Sequence, residues 1–235
     1  MGTKERRERA KDATRQKILD AARELFAREG YEAVSMRRIA DAIEYSPTAI
    51  YVHFKDKADL MKELCRADFE SFAAQTREFA HLPDPVERVR RMGRVYIRFA
   101  ISHPNHFRLM FMTRPAPEMV EMDEEEMREQ GRGDPSRDGY AFLMQCVHEA
   151  IEQGCIREEL EHDAELVAQI LWAGVHGVAS LQVTRPENEP WFTWKGADVL
   201  GEATSLAVLR GVLRDTAMQR LEGSAAAACT REVSE

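Results

Sequence analysis

Cysteine is scarce. Cys65, Cys146, Cys155 and Cys229 are the only four in 235 residues, and none stands in a Cys-x-x-Cys pair. That removes a disulfide framework and a thiolate metal site as organising features. No apolar run approaches the roughly 18–20 residues that a membrane span needs, so no membrane partner is expected. The N-terminal MGTKERRERAKDATR has no apolar core of the signal-peptide kind, which predicts a cytoplasmic protein. Gly-x-Ser-x-Gly, a P-loop and the dinucleotide glycine fingerprint are all missing, leaving no enzyme class and no cofactor to argue for. The nearest approach to a metal motif is His103-Pro-Asn-His106, with His148, His162 and His176 elsewhere. Neither Cys nor carboxylate stands at matching spacing, so no metal is expected.

Charge is in deficit on one side. The chain carries a formal net charge of −8, which at first argues against a polyanionic partner. Its distribution reverses that reading. Residues 1–66 hold 15 Lys/Arg against 12 Asp/Glu, whereas the remainder holds 18 against 29. A basic end on an acidic body fits a protein that meets nucleic acid with one end.

Helical periodicity runs throughout and strand alternation nowhere, so the fold class is all-α, with about nine helices. Residues 1–11, with Lys4, Arg6, Arg7, Arg9 and Lys11, read as a frayed basic leader or as an arm for DNA. Ile18, Leu19, Ala22, Leu25 and Phe26 then stripe a helix from Thr14 to Glu29, closed by Gly30. A short helix follows from the capping Ser35, with Met36, Ile39 and Ala40 inward. The next opens on Ser46-Pro47, a cap followed by proline at the first helical position. It is too short to stand alone, and Ile50 and Phe54 supply its anchor. Thr48, Ala49, Tyr51, Val52 and His53 are left outward. This is the pattern of a recognition helix in a helix-turn-helix. From Asp56 a longer helix runs to about Ala80.

Ile39-Ala40, Ser46-Pro47-Thr48-Ala49-Ile50-Tyr51-Val52-His53-Phe54-Lys55-Asp56-Lys57 and Leu60 resemble the DNA-binding signature of the TetR/AcrR family of bacterial regulators. Where the family usually carries glycine in the turn, this chain has Glu44, so the turn either holds a strained residue or is built differently. The resemblance implies an N-terminal DNA-binding domain (residues 1–56, arm 1–11) and a C-terminal helical ligand-binding and dimerisation domain (residues 57–222). Residues 223–235, without a packing face, are expected to be disordered. By the same resemblance Tyr51, His53 and Lys57 match phosphate-contacting positions. Arg37 and Thr48 are the candidates for base edges, flanked by Ser46 and Pro47 at the helix start.

In the second half, Arg90, Arg94 and Arg98 form a stripe that reads as a solvated or carboxylate-paired face, with an anion-binding role as the alternative. Residues 113–139 are acidic and proline-broken, a solubilising loop or a gate over a pocket. Trp172-Ala173-Gly174-Val175-His176-Gly177 resembles the Trp-x-x-x-His-Gly element of one TetR subgroup. Trp172 and His176 are either core or part of an effector cavity with Tyr96, Phe99, His103, Phe107, Met110, Phe111 and Met144. The last two long helices are the expected homodimer interface on a partly palindromic operator. The reading is a DNA-binding regulator, most often a repressor, released by a small apolar or aromatic effector. A TetR-like protein without effector and a small helical enzyme are the alternatives.

Overall fold

The computed structural model describes residues 3–114, 123–129, 131–185 and 193–232, and the side chains of these except for residues 3 and 224–232. Among the described residues there are eleven α-helices, one π-helical turn and no strand beyond a single bridge. The chain divides into two compact units. One, the head, comprises Met1–Ser71 with His103–Gly131; the other, the bundle, comprises Phe72–Ser102 with Arg132–Glu235.

The head opens on α1 (Thr3–Glu29). It starts eleven residues before the helix read from periodicity, which looks for an apolar stripe that residues 4–13 lack. Ala, Arg, Glu and Lys are good helix formers, and Lys4/Glu8 and Glu5/Arg9 stand at the i, i+4 spacing of opposite charges. Gly30, at φ +84°, ends the helix and donates to the Phe26 carbonyl at 3.0 Å. Helix α2 (Met36–Ala42) is capped by Ser35, whose hydroxyl accepts from the Arg38 N–H at 3.1 Å. Helix α3 (Pro47–Tyr51) is capped by Ser46, accepting from the Ala49 N–H at 3.3 Å.

The turn between them resolves the question that Glu44 raises. The Tyr45 N–H donates to the Ala40 carbonyl and the Glu44 N–H to that of Asp41, the paired closure of a Schellman motif. Its left-handed position falls on Glu44, at φ 60°, the one non-glycine with positive φ among the described residues. That costs about 1–2 kcal/mol relative to glycine-compatible backbone; the turn holds a strained residue.

Helix α4 (Lys57–Thr76) follows. Asp56 accepts from the Asp59 N–H at 2.8 Å, and Asp59 accepts from the Lys55 N–H at 2.9 Å, a reciprocal cap. It stops at Thr76, short of Ala80. The division between head and bundle falls inside it, after Ser71. Ile18, Ala22, Phe26, Ile39, Ile50, Leu60 and Leu64 are fully buried and form the head core. Two further elements belong to this unit. They are helix α6 (Pro104–Phe107) and the π-helical turn Arg108–Met112. Helix α7 (Glu124–Glu129) is joined to α4 by Lys62 and Glu126 at 2.8 Å. The rest of the acidic segment at 115–122 and 130 lies outside the described residues, and with it the test of a gate.

The bundle packs α5 (Pro85–Ser102), α8 (Gly139–Glu152), α9 (Ala164–Thr184) and α10 (Ala197–Val212) around one apolar centre, with α11 (Asp215–Glu232) alongside. Gly174 lets α9 and α10 close up: a Cβ there would stand 2.8 Å from Val208 Cγ2. Helices α10 and α11 are separate. Leu213 pairs with Ile156, and the Arg214 and Arg157 N–H groups donate to the Cys155 and Val212 carbonyls, breaking the helical ladder. Helix α11 reaches Glu232, into the segment read as a disordered tail, and residues 233–235 of that segment lie outside the described residues.

Candidate nucleic-acid interface and bundle cavity

The recognition segment is held from beneath. Ile50 and Phe54 are buried, while Arg37, Ser46, Pro47 and Thr48 are exposed, as are Tyr51 (54%) and Val52 (69%). The Arg15 guanidinium lies over the Phe54 ring at 4.9 Å and pairs with Glu63 at 2.9 Å, so α1 braces the end of this segment. His53 is half-buried, not outward, and its Nδ1 is enclosed without a hydrogen-bond partner. Burial, and then the charges of Lys11 and Arg15, push its pKa below the ordinary histidine value. Lys57 differs most from its expected role. Its ammonium donates to the Tyr31 and Val34 carbonyls at 3.0 and 3.2 Å and sits 4.1 Å from the Tyr31 ring centroid. Two of its three donors and its charge thus secure the bend before α2.

Sequence reasoning missed a buried ionic cluster in the head. Asp68, 1% exposed, accepts from Arg23 Nε and Nη2 in the two-pronged manner, the shortest contact being 2.7 Å. Asp20 takes Arg23 Nη1 at 2.8 Å, and His106 Nδ1 on α6 lies 3.1 Å from Asp68 Oδ1. No local pattern joins residues 45 apart. The only hint was an arginine beside the apolar stripe of α1.

The residues expected to share a pocket fall into both units. His103, Phe107, Met110 and Phe111 belong to the head. The break at Pro104 restarts the chain, Phe107 is fully buried, and Phe111 meets Phe69 and Phe107 edge-on or tilted. Tyr96, Phe99, Met144, Trp172 and His176 belong to the bundle. There, Tyr96 and Trp172 line a narrow cavity of about 40 Å³ with Gly93, Leu171, Val175 and Ser205. Phe99 packs instead on Phe72. The Arg90 guanidinium at the cavity edge is buried and held by Glu87 and Glu202, and Arg94 shares Glu202, so this part of the arginine stripe serves carboxylates.

One polar chain crosses the apolar lining. The Tyr96 hydroxyl lies 2.8 Å from His176 Nδ1, and His176 Nε2 lies 3.1 Å from Ser180 Oγ. Burial raises the Tyr96 pKa, opposed by the Trp172 indole N–H beside its oxygen, and burial lowers that of His176. Both stay neutral near pH 7. An indole N–H only donates, so Tyr96 accepts from Trp172, and the His176 tautomer sets the direction of the hydrogen bonds to Tyr96 and Ser180. Cys146, pushed up to about 12 chiefly by burial, is an inert thiol.

A capped, core-anchored recognition helix in an N-terminal head, joined through one long helix to an all-α bundle, defines a helix-turn-helix regulatory protein. Comparison narrows the class. Residues 18–64 match the model for bacterial regulatory proteins of the tetR family, and residues 89–190 match the tetracyclin repressor-like C-terminal domain. The chain belongs to the TetR family. It is similar to the HTH-type transcriptional repressor Rv1474c of Mycobacterium tuberculosis, with 47% identity over 62 residues, 26% of this chain and 33% of that protein. It also resembles the HTH-type transcriptional regulator AcrR of Shigella flexneri, with 49% identity over 51 residues, 22% of this chain and 24% of the relative. The similarity thus spans a third or less of these curated relatives. Over the whole fold it resembles a TetR family transcription regulator from Marinobacter aquaeolei, with a TM-score of 0.67 and 20% identity, covering 88% of this chain and 98% of the other. The ketosteroid transcriptional regulator KstR2 of Mycobacterium tuberculosis matches with a TM-score of 0.62 and 20% identity, covering 86% and 96%. At such identities the likeness is one of fold.

Proposed function

We propose that the protein is a transcriptional repressor that binds duplex DNA through α3 and leaves it when a small molecule occupies the bundle. The observation that carries this reading is the recognition segment: a five-residue helix whose anchors are buried and whose Thr48 and Tyr51 are presented outward. Thr48 and Arg37 read base edges, the latter by a two-bonded contact to guanine. Tyr51 and His53 take phosphates, while Ser46 and Pro47 fix the angle at which α3 enters the groove. Lys57 chiefly holds the bend at Tyr31–Val34 and has one N–H left for a phosphate.

The active form is a homodimer on a partly palindromic operator. Helix α9 is apolar enough, by length and composition alone, to cross a bilayer, yet only 28% of its most apolar window is covered by its own chain. Leu166 and Leu181 on α9 and Val199 on α10 are large, apolar and exposed, and a Cβ on Gly177 would meet nothing. A second copy covers this surface best. The effector is an apolar or aromatic molecule that widens the cavity beside Tyr96 and Trp172. It changes DNA affinity only to the extent that it binds the two states differently, and α4, continuous from head to bundle, is the route between them.

The test is binding to a duplex selected by the protein from a randomised pool, followed against salt. Affinity should fall steeply as salt rises, and Thr48→Ala should relax base preference. A flat salt response would sink the reading.

A further inference from the structure

Because α1 is one helix from Thr3 to Glu29, its helical phase carries through to the N-terminal extension. Ile18, Ala22 and Leu25 mark the face that enters the head core. Moving towards the N-terminus along that same face, at steps of three or four residues, reaches Arg15, Lys11, Arg7 and Lys4. Glu5, Glu8 and Asp12 fall to one side of this line. Glu8 holds the helical position of Phe26, so the face is apolar while a core lies beneath it and, once the core has ended, carries Lys4, Arg7 and Lys11 along one side with Glu8 at its border.

Arg15 marks the changeover. It rests on Phe54, at the end of the recognition segment, and is neutralised by Glu63. Lys11, Arg7 and Lys4 continue the face beyond that point. All three are exposed, and none has an ion pair or side-chain hydrogen bond among the described residues. Lys4 and Lys11 are seven residues apart, about 10 Å along the helix. That matches about three phosphates of one strand, at about 3.4 Å of duplex axis each.

We propose that Lys4, Arg7 and Lys11 form a rigid helical clamp on the DNA backbone flanking the bases that α3 reads. The proposal rests on the DNA-binding reading above. It differs from a flexible basic arm in that the cations are already ordered, so less conformational freedom is lost on binding.

The experiment uses the full chain, a 30-base-pair duplex selected from a randomised pool, and the same duplex cut back to its selected core. Each phosphate contact contributes about 0.9 to the slope of log affinity against log salt. The triple variant Lys4→Ala/Arg7→Ala/Lys11→Ala should therefore lower the slope by about 2.7 per head, with the ratio of selected to random duplex unchanged. On the trimmed duplex the wild type should fall to the level of the variant. Ala10→Pro keeps every cation but interrupts the helix before Lys11, and should lose the share carried by Lys4 and Arg7, about 1.8 of slope per head. An unaltered thermal midpoint identifies variants whose fold is intact. Wild-type binding with a steep slope that the triple variant shares would overturn the clamp alone. A wild-type slope in Ala10→Pro would overturn its rigidity and restore the flexible arm. Failure of the wild type to bind any duplex would instead remove the DNA-binding reading beneath it.

Discussion

In the head, the buried polar group is ionic: Asp68 and Arg23 are 1% and 6% exposed and joined in the two-pronged geometry, with Asp20 and His106 at its edges. In the bundle it is neutral: Tyr96, His176 and Ser180 form a chain of ordinary hydrogen bonds beside an apolar cavity. The two arrangements differ in what it costs to disturb them. A buried charge deprived of its partner is strongly destabilising, so the ionic cluster holds α1, α4 and α6 in one geometry. Neutral partners can be exchanged for those of an incoming molecule at small net cost, because one hydrogen bond replaces another. On the proposed function, a head that reads DNA needs fixed side chains, and a cavity that admits an effector needs exchangeable ones.

The largest way to break that contrast is Asp68→Ala. It leaves the Arg23 guanidinium buried against an apolar methyl and should cost about 3–5 kcal/mol in denaturant unfolding. Asp20→Ala, removing a carboxylate whose side chain is 58% exposed, should cost about 1 kcal/mol or less. Near-equal losses would mean that the buried pair does not organise the head. In the bundle, Tyr96→Phe takes away one hydroxyl and leaves His176 Nδ1 and the Trp172 indole N–H without it. The expected loss is about 1–3 kcal/mol, again by denaturant titration. A loss as large as that of Asp68→Ala would erase the distinction between the two clusters.

What was legible in the sequence follows the range of the interaction. Ser35, Ser46-Pro47 and Asp56 announce helix starts because a cap is local chemistry, and Ile39, Ile50, Phe54 and Leu60 announce the core because their spacing is helical. Tyr96, Trp172 and His176 could be grouped on spacing and chemistry alone. The remainder turned on contacts with no sequence signature. Phe107 looks like a cavity aromatic until the chain, restarted at Pro104, takes it into the head. The break at Leu213 depends on Ile156, and the Arg23–Asp68 pair on a crossing of two helices. Residues 4–13 misled for a different reason: an amphipathic criterion passes over a helix whose continuing face is charged.

The finest test of the comparison lies in two histidines, one in each unit. His53 and His176 both have pKa values lowered from about 6.5, His176 by burial alone, His53 by burial and by the charges of Lys11 and Arg15. For both, the unfolded chain takes up a proton at a higher pH than the native one. Each contribution to stability is therefore complete above about pH 6.5 and declines as the pH falls below it. His176→Gln and His53→Gln should each remove part of that slope, measured by denaturant unfolding between about pH 7 and 5. Salt then separates them. Screening weakens the repulsion that Lys11 and Arg15 exert on a protonated His53 but does nothing to desolvation. In a nuclear magnetic resonance titration of the ring protons, added salt should move His53 back towards the ordinary value and leave His176 where it was. Equal movement of both would mean that charge, rather than burial, governs the cavity histidine too, and that the bundle is not the neutral environment its lining describes.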